Sequence, residues 1–354
     1  MQLLRAGDGV QSRAGFGAAG RSGGWEGRIS RAALLERSVP VKKPLKITLI
    51  TLASLAGALT LSLVATTTVN AVATASEAAE LQPYGQRVPV DGRNMNVVVS
   101  EEAPADAETI VLLPGLGTAS PALDFAPLVR ELDDDYRVVV VEPFGYGLSD
   151  QTDEPRTSAA IAAEVHEALQ VLGVDRYVLA GHSIAGIYAL EYLTHYRDEV
   201  TAFVGIDTSV PGQPGSDEPT SVEGVDTLKQ LGILRLLTAL SPGAYDGLPA
   251  YDDVARRQLA ILSNRNTMSP TLLDELSRTP ENFAAAGSLT FPRDLPVLLF
   301  VVGADAEVPG WVQLHESQLT QVDRGELKTL DGAHYLHHTH SAEIAEATRT
   351  FLEP

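Results

Sequence analysis

The most conspicuous feature of the hydrophobic pattern is one unbroken run. From Ile47 to Ala65 the chain reads ITLITLASLAGALTLSLVA, preceded by Lys42, Lys43 and Lys46, and no charge returns until Glu77. These nineteen uncharged residues just reach the length of a membrane-spanning helix. The small residues of Ala71 to Ser76 (AVATAS) also suit signal-peptidase cleavage, so a cleaved signal peptide and a retained transmembrane anchor both stay open. In either case the leading lysines are expected to stay in the cytoplasm and to send the rest of the chain outward.

Beyond residue 75 the pattern changes to short β-branched runs separated by helical periodicity. A hairpin is predicted from Gln86 to Pro89 and Met95 to Ser100 around Asp91-Gly92, a dipeptide suited to a tight turn. Buried strands are predicted at Thr109 to Leu113, Arg137 to Glu142, Tyr177 to Ala180, Thr201 to Asp207 and Pro296 to Val302, with another near Leu327 to Leu330. Apolar residues at three- and four-residue spacing predict helices at Ala122 to Leu132, Ser158 to Leu172, Ile184 to Tyr196 and Ser341 to Phe351. This alternation predicts an α/β domain with a mostly parallel sheet covered by helices. From about Ser209 to Leu289 the rhythm breaks into acidic turns and then helices, which reads as an inserted helical cap over the C-terminal edge of the sheet. The expected organisation is therefore a disordered basic head (1–45), a signal or anchor segment (46–75), a core in two parts (76–208 and 291–354) and a cap (209–290).

Composition narrows the chemistry. With no cysteine among 354 residues, thiolate metal sites, disulfide scaffolds and cysteine nucleophiles are excluded. The net charge of −20 divides into +6 for residues 1–75 and −26 for the remainder. So acidic a body repels phosphate backbones, and nucleic acid is not an expected partner.

Directly after the strand ending in Ala180 comes Gly181-His182-Ser183-Ile184-Ala185-Gly186, and directly after that a helix. A serine on so tight a strand-to-helix turn is forced outward, which makes Ser183 the candidate nucleophile. The chain from about Tyr84 to Leu352 resembles the α/β-hydrolase superfamily, with GHSIAG as its nucleophile elbow and Ala185 where many members carry glycine. The resemblance implies the α/β-hydrolase fold and a Ser-acid-His order. It also implies that the turn Pro114-Gly115-Leu116-Gly117 supplies the Leu116 amide to an oxyanion hole, with Ile184 as the second donor. Many members have histidine at the position of Pro114; backbone donors do not require it. The loop Glu142 to Asp150 (EPFGYGLSD) also resembles a family signature and reads as scaffold, so Ser149 is not the nucleophile.

A general base is expected near the C-terminus, where Asp331-Gly332-Ala333-His334 precedes the last helix. His334 fits, because imidazole changes charge near neutral pH. The resemblance places the acid after the PVLLFVV strand, in Gly303 to Pro309, where Asp305 is preferred; Glu307 and Asp207 stay open. His337, His338 and His340 straddle a helix start without a metal-binding arrangement and read as cap or rim residues, so no metal is expected. His182 should face away from the nucleophile, and His166, His195 and His315 read as ordinary surface or interface residues.

In the cap, Leu228, Leu231, Ile233, Leu234, Leu236, Leu237 and Leu240 either pack it onto the sheet or line a pocket for an apolar group. Asp217, Glu218, Glu223 and Asp226 read as a solvated loop rather than an amine-binding cluster. The expected activity is that of a serine hydrolase, carboxylesterase-like, cleaving an ester or related acyl bond of a small-molecule substrate without a cofactor. Alternatives are an aminopeptidase- or haloperoxidase-like member with the same triad, and a hydrolase-fold binding protein without turnover. Dehalogenase or epoxide-hydrolase chemistry would need a carboxylate in place of Ser183. The enzyme is expected to be secreted, or membrane-held through residues 47–65 with the catalytic domain outside the cytoplasm.

Overall fold

A computed structural model describes residues 42–353 except 101, 105, 242–244 and 304–307. The chain falls into two compact units, residues 1–55 and 56–354. The described part of the first is a helical stretch whose described side chains are all exposed. It belongs to α1 (Lys42–Glu80), which extends well beyond the apolar run at both ends and continues without a break through Ala71 to Ser76. The stretch Leu45–Glu80 is long and apolar enough to cross a membrane by length and composition.

The second unit is built on an eight-stranded sheet. The hairpin of β1 (Gln86–Val90) and β2 (Arg93–Val99) closes through Asp91 (φ 44°) and Gly92 (φ 72°), two left-handed residues that match the twist of the strands. Then follow β3 (Thr109–Leu113), α2 (Pro121–Asp124), α3 (Ala126–Leu132), β4 (Arg137–Glu142), α4 (Ser158–Val171), β5 (Tyr177–His182), α5 (Ala185–Tyr196) and β6 (Val200–Ile206). The stretch predicted as a single helix from Ala122 to Leu132 is broken at Phe125, because Pro127 in the next turn has no N–H to continue the ladder. The cap comprises α6 (Val225–Gln230), α7 (Ile233–Ala239), α8 (Asp253–Asn266), α9 (Pro270–Ser277) and α10 (Thr279–Ala286). After it come β7 (Val297–Val302), α11 (Trp311–Leu319), β8 (Gly325–Leu330), α12 (Leu336–Thr339) and α13 (Ser341–Leu352).

The strand order is β1-β2-β4-β3-β5-β6-β7-β8, with β2 antiparallel to both neighbours and every pair from β4 to β8 parallel. Side chains alternate across the sheet. Val111, Leu113, Val139, Leu179, Phe203 and Leu299 pack beneath α4 and α5 on one face. Ile110, Leu112, Val138, Val178, Leu298 and Phe300 pack with α3 and α13 on the other. Because both faces are covered, the central strands read as continuous apolar runs rather than alternating ones. Parallel order also places the C-terminal ends of β3, β5 and β6 side by side, along one edge.

Buried polar contacts tie cap to core. Glu275 of α9 accepts from Tyr146 Oη (2.9 Å) and Tyr188 Oη (2.7 Å), and Thr152 N donates to Thr271 Oγ1 at 3.0 Å. Glu142, closing β4, accepts from Tyr84 Oη, Ser120 Oγ, the Asn96 side chain and the Leu148 amide, while buried Ser149 bonds the backbone at Asn96 and Glu142. These bonds fix the glycine-rich loop between β4 and α4 as scaffold.

Candidate active site

Ser183 occupies the one-residue bend between β5 and the turn into α5, at φ 57°. Its amide donates to Ile206 O at 3.2 Å, and its carbonyl accepts from Gly186 N at 3.0 Å and Ser209 N at 2.7 Å. The turn is thus held from both sides while the side chain points out of the sheet. The tightness needs small neighbours: a Cβ on Gly186 would lie 2.6 Å from Ser209 O and 2.7 Å from Thr208 Cβ. A Cβ on Gly115 would lie 3.1 Å from Ser183 Cβ, so the loop following β3 runs directly against the nucleophile turn. The backbone amides of Leu116 in that loop and Ile184 in the turn have no hydrogen-bond partner among the described residues.

His334 lies between β8 and α12, with Nε2 2.9 Å from Ser183 Oγ and Nδ1 2.6 Å from Asp207 Oδ2. These partners assign the tautomer: Nδ1–H donates to the carboxylate and Nε2 accepts from the hydroxyl. The three residues descend in exposure, His334 open to solvent, Ser183 half-buried and the Asp207 side chain 4% exposed.

Asp305 and Glu307, the other candidate acids, lie outside the described residues. The carboxylate that meets the imidazole is that of Asp207, one residue past β6 at φ 44°. Its Oδ1 accepts from Val302 N (2.9 Å) and Trp311 Nε1 (2.7 Å), leaving Oδ2 for the histidine. Burial alone would push this carboxyl up; the bonds from His334, Trp311 and Val302 outweigh it and hold it below the ordinary carboxylate value. No sequence signal marks Trp311, because its role arises from α11 folding back over the end of β6.

His182 turns away from Ser183 into the interior, where Nε2–H donates to His334 O at 3.1 Å. It therefore fixes the loop that carries the imidazole. Burial and the neighbouring rings of His337 and His334 hold it well below the usual histidine value, so it is neutral.

His337 and His338 are not rim residues. Both donate through Nε2 to buried Asp124, at 2.7 and 2.8 Å, and Tyr245 Oη donates to the same carboxylate at 2.8 Å. Asp124, His337 and His338 are residue types that can hold a metal ion, and their ligand atoms lie within 4.8 Å of one another. The Nε2 atoms of both histidines and both oxygens of Asp124 are used in the hydrogen bonds just given, which join α2, α12 and the cap. His315 is also fully buried rather than superficial, its ring nitrogens 2.9 Å from Trp311 O and 2.8 Å from Thr208 O. His166 and His195 pair with Glu199 and Glu191. Asp217, Glu218, Glu223 and Asp226 are exposed.

The cap leucines depart from expectation. Leu228, Leu236, Leu237 and Leu240 are 39, 48, 56 and 77% exposed, and no residue of α7 is buried. These four do not pack the cap onto the sheet.

The architecture and sequence have relatives. YbdG of Bacillus subtilis, a protein of uncharacterized activity, is 25% identical over 292 residues, 78% of this chain and 88% of its own length. RutD of Escherichia coli, provisionally named a carbamate hydrolase, is 32% identical over 114 residues, 32% of this chain; the match spans only 42% of RutD. The enol-lactonase of Burkholderia xenovorans superposes with a TM-score of 0.54 over 75% of this chain and 99% of its own, at 20% identity. The α/β hydrolase family model matches residues 110–347, which span every strand from β3 to β8 together with Ser183, Asp207 and His334. The chain belongs to the α/β hydrolase family.

Proposed function

We propose that the protein is a serine hydrolase that cleaves an ester or related acyl bond of a small molecule through an acyl-enzyme on Ser183. The observation that carries this reading is the continuous contact from Ser183 Oγ to His334 Nε2 and from His334 Nδ1 to Asp207 Oδ2. A free hydroxyl is a weak nucleophile, and this arrangement supplies what it lacks. As Oγ bonds the acyl carbon, its proton passes to Nε2, and buried Asp207 stabilises the imidazolium and keeps Nδ1 protonated. The Leu116 and Ile184 amides receive the negative charge that develops on the acyl oxygen. Collapse breaks the bond to the leaving group, which takes the proton from Nε2. Water then attacks the acyl-enzyme by the same steps and releases the acid and free Ser183. In this reading Asp207 takes the role first given to Asp305, and no cofactor takes part.

The names of similar proteins fit acyl chemistry: a carbamate and an enol-lactone both present a carbonyl to a nucleophile. The apolar run in α1 supports retention at a membrane, with the acidic domain outside the cytoplasm. The test needs no substrate. Full-length protein treated with a fluorophosphonate probe should gain one adduct by intact mass, and Ser183→Ala and His334→Ala should gain none while keeping the native melting temperature. A folded wild-type chain that takes up no probe would favour the binding-protein alternative.

A further inference from the structure

Helix α7 presents a leucine stripe to solvent beside the point where α1 leaves its apolar run. Leu236, Leu240, Ile233 and Leu237 fall within about 100° of the helical wheel at 100° per residue, and three of them are exposed. A stripe of that width is normally buried. Arg235 lies on the other side of the helix, about 100° or more from every member of the stripe, and turns to α1, where it bonds Asn70 Oδ1 (2.8 Å), Thr74 Oγ1 (3.1 Å) and both carboxylate oxygens of Glu77 (2.7 and 2.9 Å). Gly232, which opens α7, touches the same helix one turn higher: a Cβ there would lie 2.5 Å from Thr66 O and 2.8 Å from Asn70 Cβ.

These contacts set the level of α7 along α1. The apolar run ends at Ala65, and Asn70 is five residues further, about 7.5 Å along a helix axis. The polar layer on each side of a bilayer core is about 5–8 Å thick. The start of α7 therefore falls within that layer if residues 47–65 span the hydrocarbon. Val69 and Val72 of α1, at the same level, are 62 and 65% exposed, so α1 as well as α7 offers apolar side chains to its surroundings at this level. Charge agrees. The chain carries no Asp or Glu from Thr227 to Tyr245, only Lys229 and Arg235, within a body of net charge −26. An acid-free, leucine-rich helix is a part of the cap that an anionic headgroup surface would not repel.

We infer that the Leu236, Leu237 and Leu240 face of α7 seats in the headgroup layer of the bilayer that holds α1, so that the cap is docked on lipid rather than tethered above it. The inference rests on the membrane anchoring proposed above and is independent of the hydrolytic chemistry.

The absence of cysteine makes the test direct, because one introduced thiol is the only labelling site. Full-length protein carrying Leu237→Cys, Leu59→Cys or Lys328→Cys is labelled with the environment-sensitive dye NBD and reconstituted in phosphatidylcholine–phosphatidylglycerol vesicles. Spin-labelled lipids then quench the dye. The dye at position 237 should be blue-shifted and quenched more by headgroup-proximal than by chain-end spin labels, at any protein-to-lipid ratio. The dye at position 328, on exposed β8, should stay in water. A lipid-quenched dye at 59 with a water-exposed dye at 237 would overturn the docking and leave the anchor standing. An unquenched dye at 59 would overturn both. Protection at 237 that lipid spin labels do not quench and that fades on dilution in lipid would mean a second copy covers the leucines, and would also overturn the inference.

Discussion

Two residues of the site occupy backbone conformations that their types avoid. Ser183 at φ 57° and Asp207 at φ 44° are left-handed without being glycine, at a cost of about 1–2 kcal/mol each. Dense surrounding bonds hold them there: the Ser183 carbonyl takes two amides, and Asp207 is fixed by Phe300 O, Val302 N and Trp311 Nε1. The serine was legible because its turn is local, written in six consecutive residues. The acid was not, because β6 and β7 pair side by side and either strand end offers a carboxylate at an acceptable distance in sequence. Only the fold shows that the end of β6, beside the nucleophile strand, meets Nδ1. Replacing Asp207 with Asn leaves the shape but puts an amide where the imidazole needs an acceptor, so the wrong tautomer is favoured. A fall in kcat of ~10³- to 10⁴-fold is expected. Asp305→Asn should remain within a few fold of wild type. Steady-state kinetics on an activated ester separates the two, and the reverse order would return the role to Asp305.

At the scale of elements, α1 is more than an apolar run. Its polar C-terminal turns carry Asn70, Thr74, Glu77 and Glu80, which bond Arg235, Asn264, Arg257 and Gln258 of the cap. The sequence shows where the apolar run stops, but a helix that continues through small polar residues to form salt bridges with residues some 160 positions away leaves no periodic signal. The same holds for α12. His337 and His338 look like surface residues until Asp124 arrives beneath them from α2. Glu77 and Arg235 are only 11 and 16% exposed as side chains, so removing one leaves the other as a poorly solvated charge. Arg235→Ala should cost about 2 kcal/mol, a fall in melting temperature of about 4–8 °C in detergent. Arg235→Lys, which keeps the charge but loses the two-pronged contact with Glu77, should fall between. No shift in either variant would mean that α1 and the cap are held together by other contacts.

For the whole molecule, the sign of the pH dependence follows from what is buried. His182 is held well below the ordinary histidine value of 6.5 by burial first, then by the charges that His337 and His334 would carry. A depressed histidine is neutral when folded and protonated when unfolded at any pH between its two values, so the unfolded state binds the extra proton. Stability is then lost as pH falls below about 6.5, by up to about 1.4 kcal/mol per pH unit for this group. Asp207, also depressed, acts in the same direction but lower, since its contribution disappears only as pH falls through the carboxylate range. The net charge of −20 opposes both, because protonating surface carboxylates relieves self-repulsion in the compact state. The wild-type profile alone therefore mixes opposing effects. Comparison with His182→Gln, which retains a donor for His334 O but does not titrate, isolates one of them. Between pH 6.5 and 5 the urea-derived unfolding free energy of wild type should fall more steeply than that of the variant, by up to one proton's worth of slope. Parallel profiles would mean that His182 takes up its proton in the folded state too, and that the interior behind the nucleophile turn is open to water.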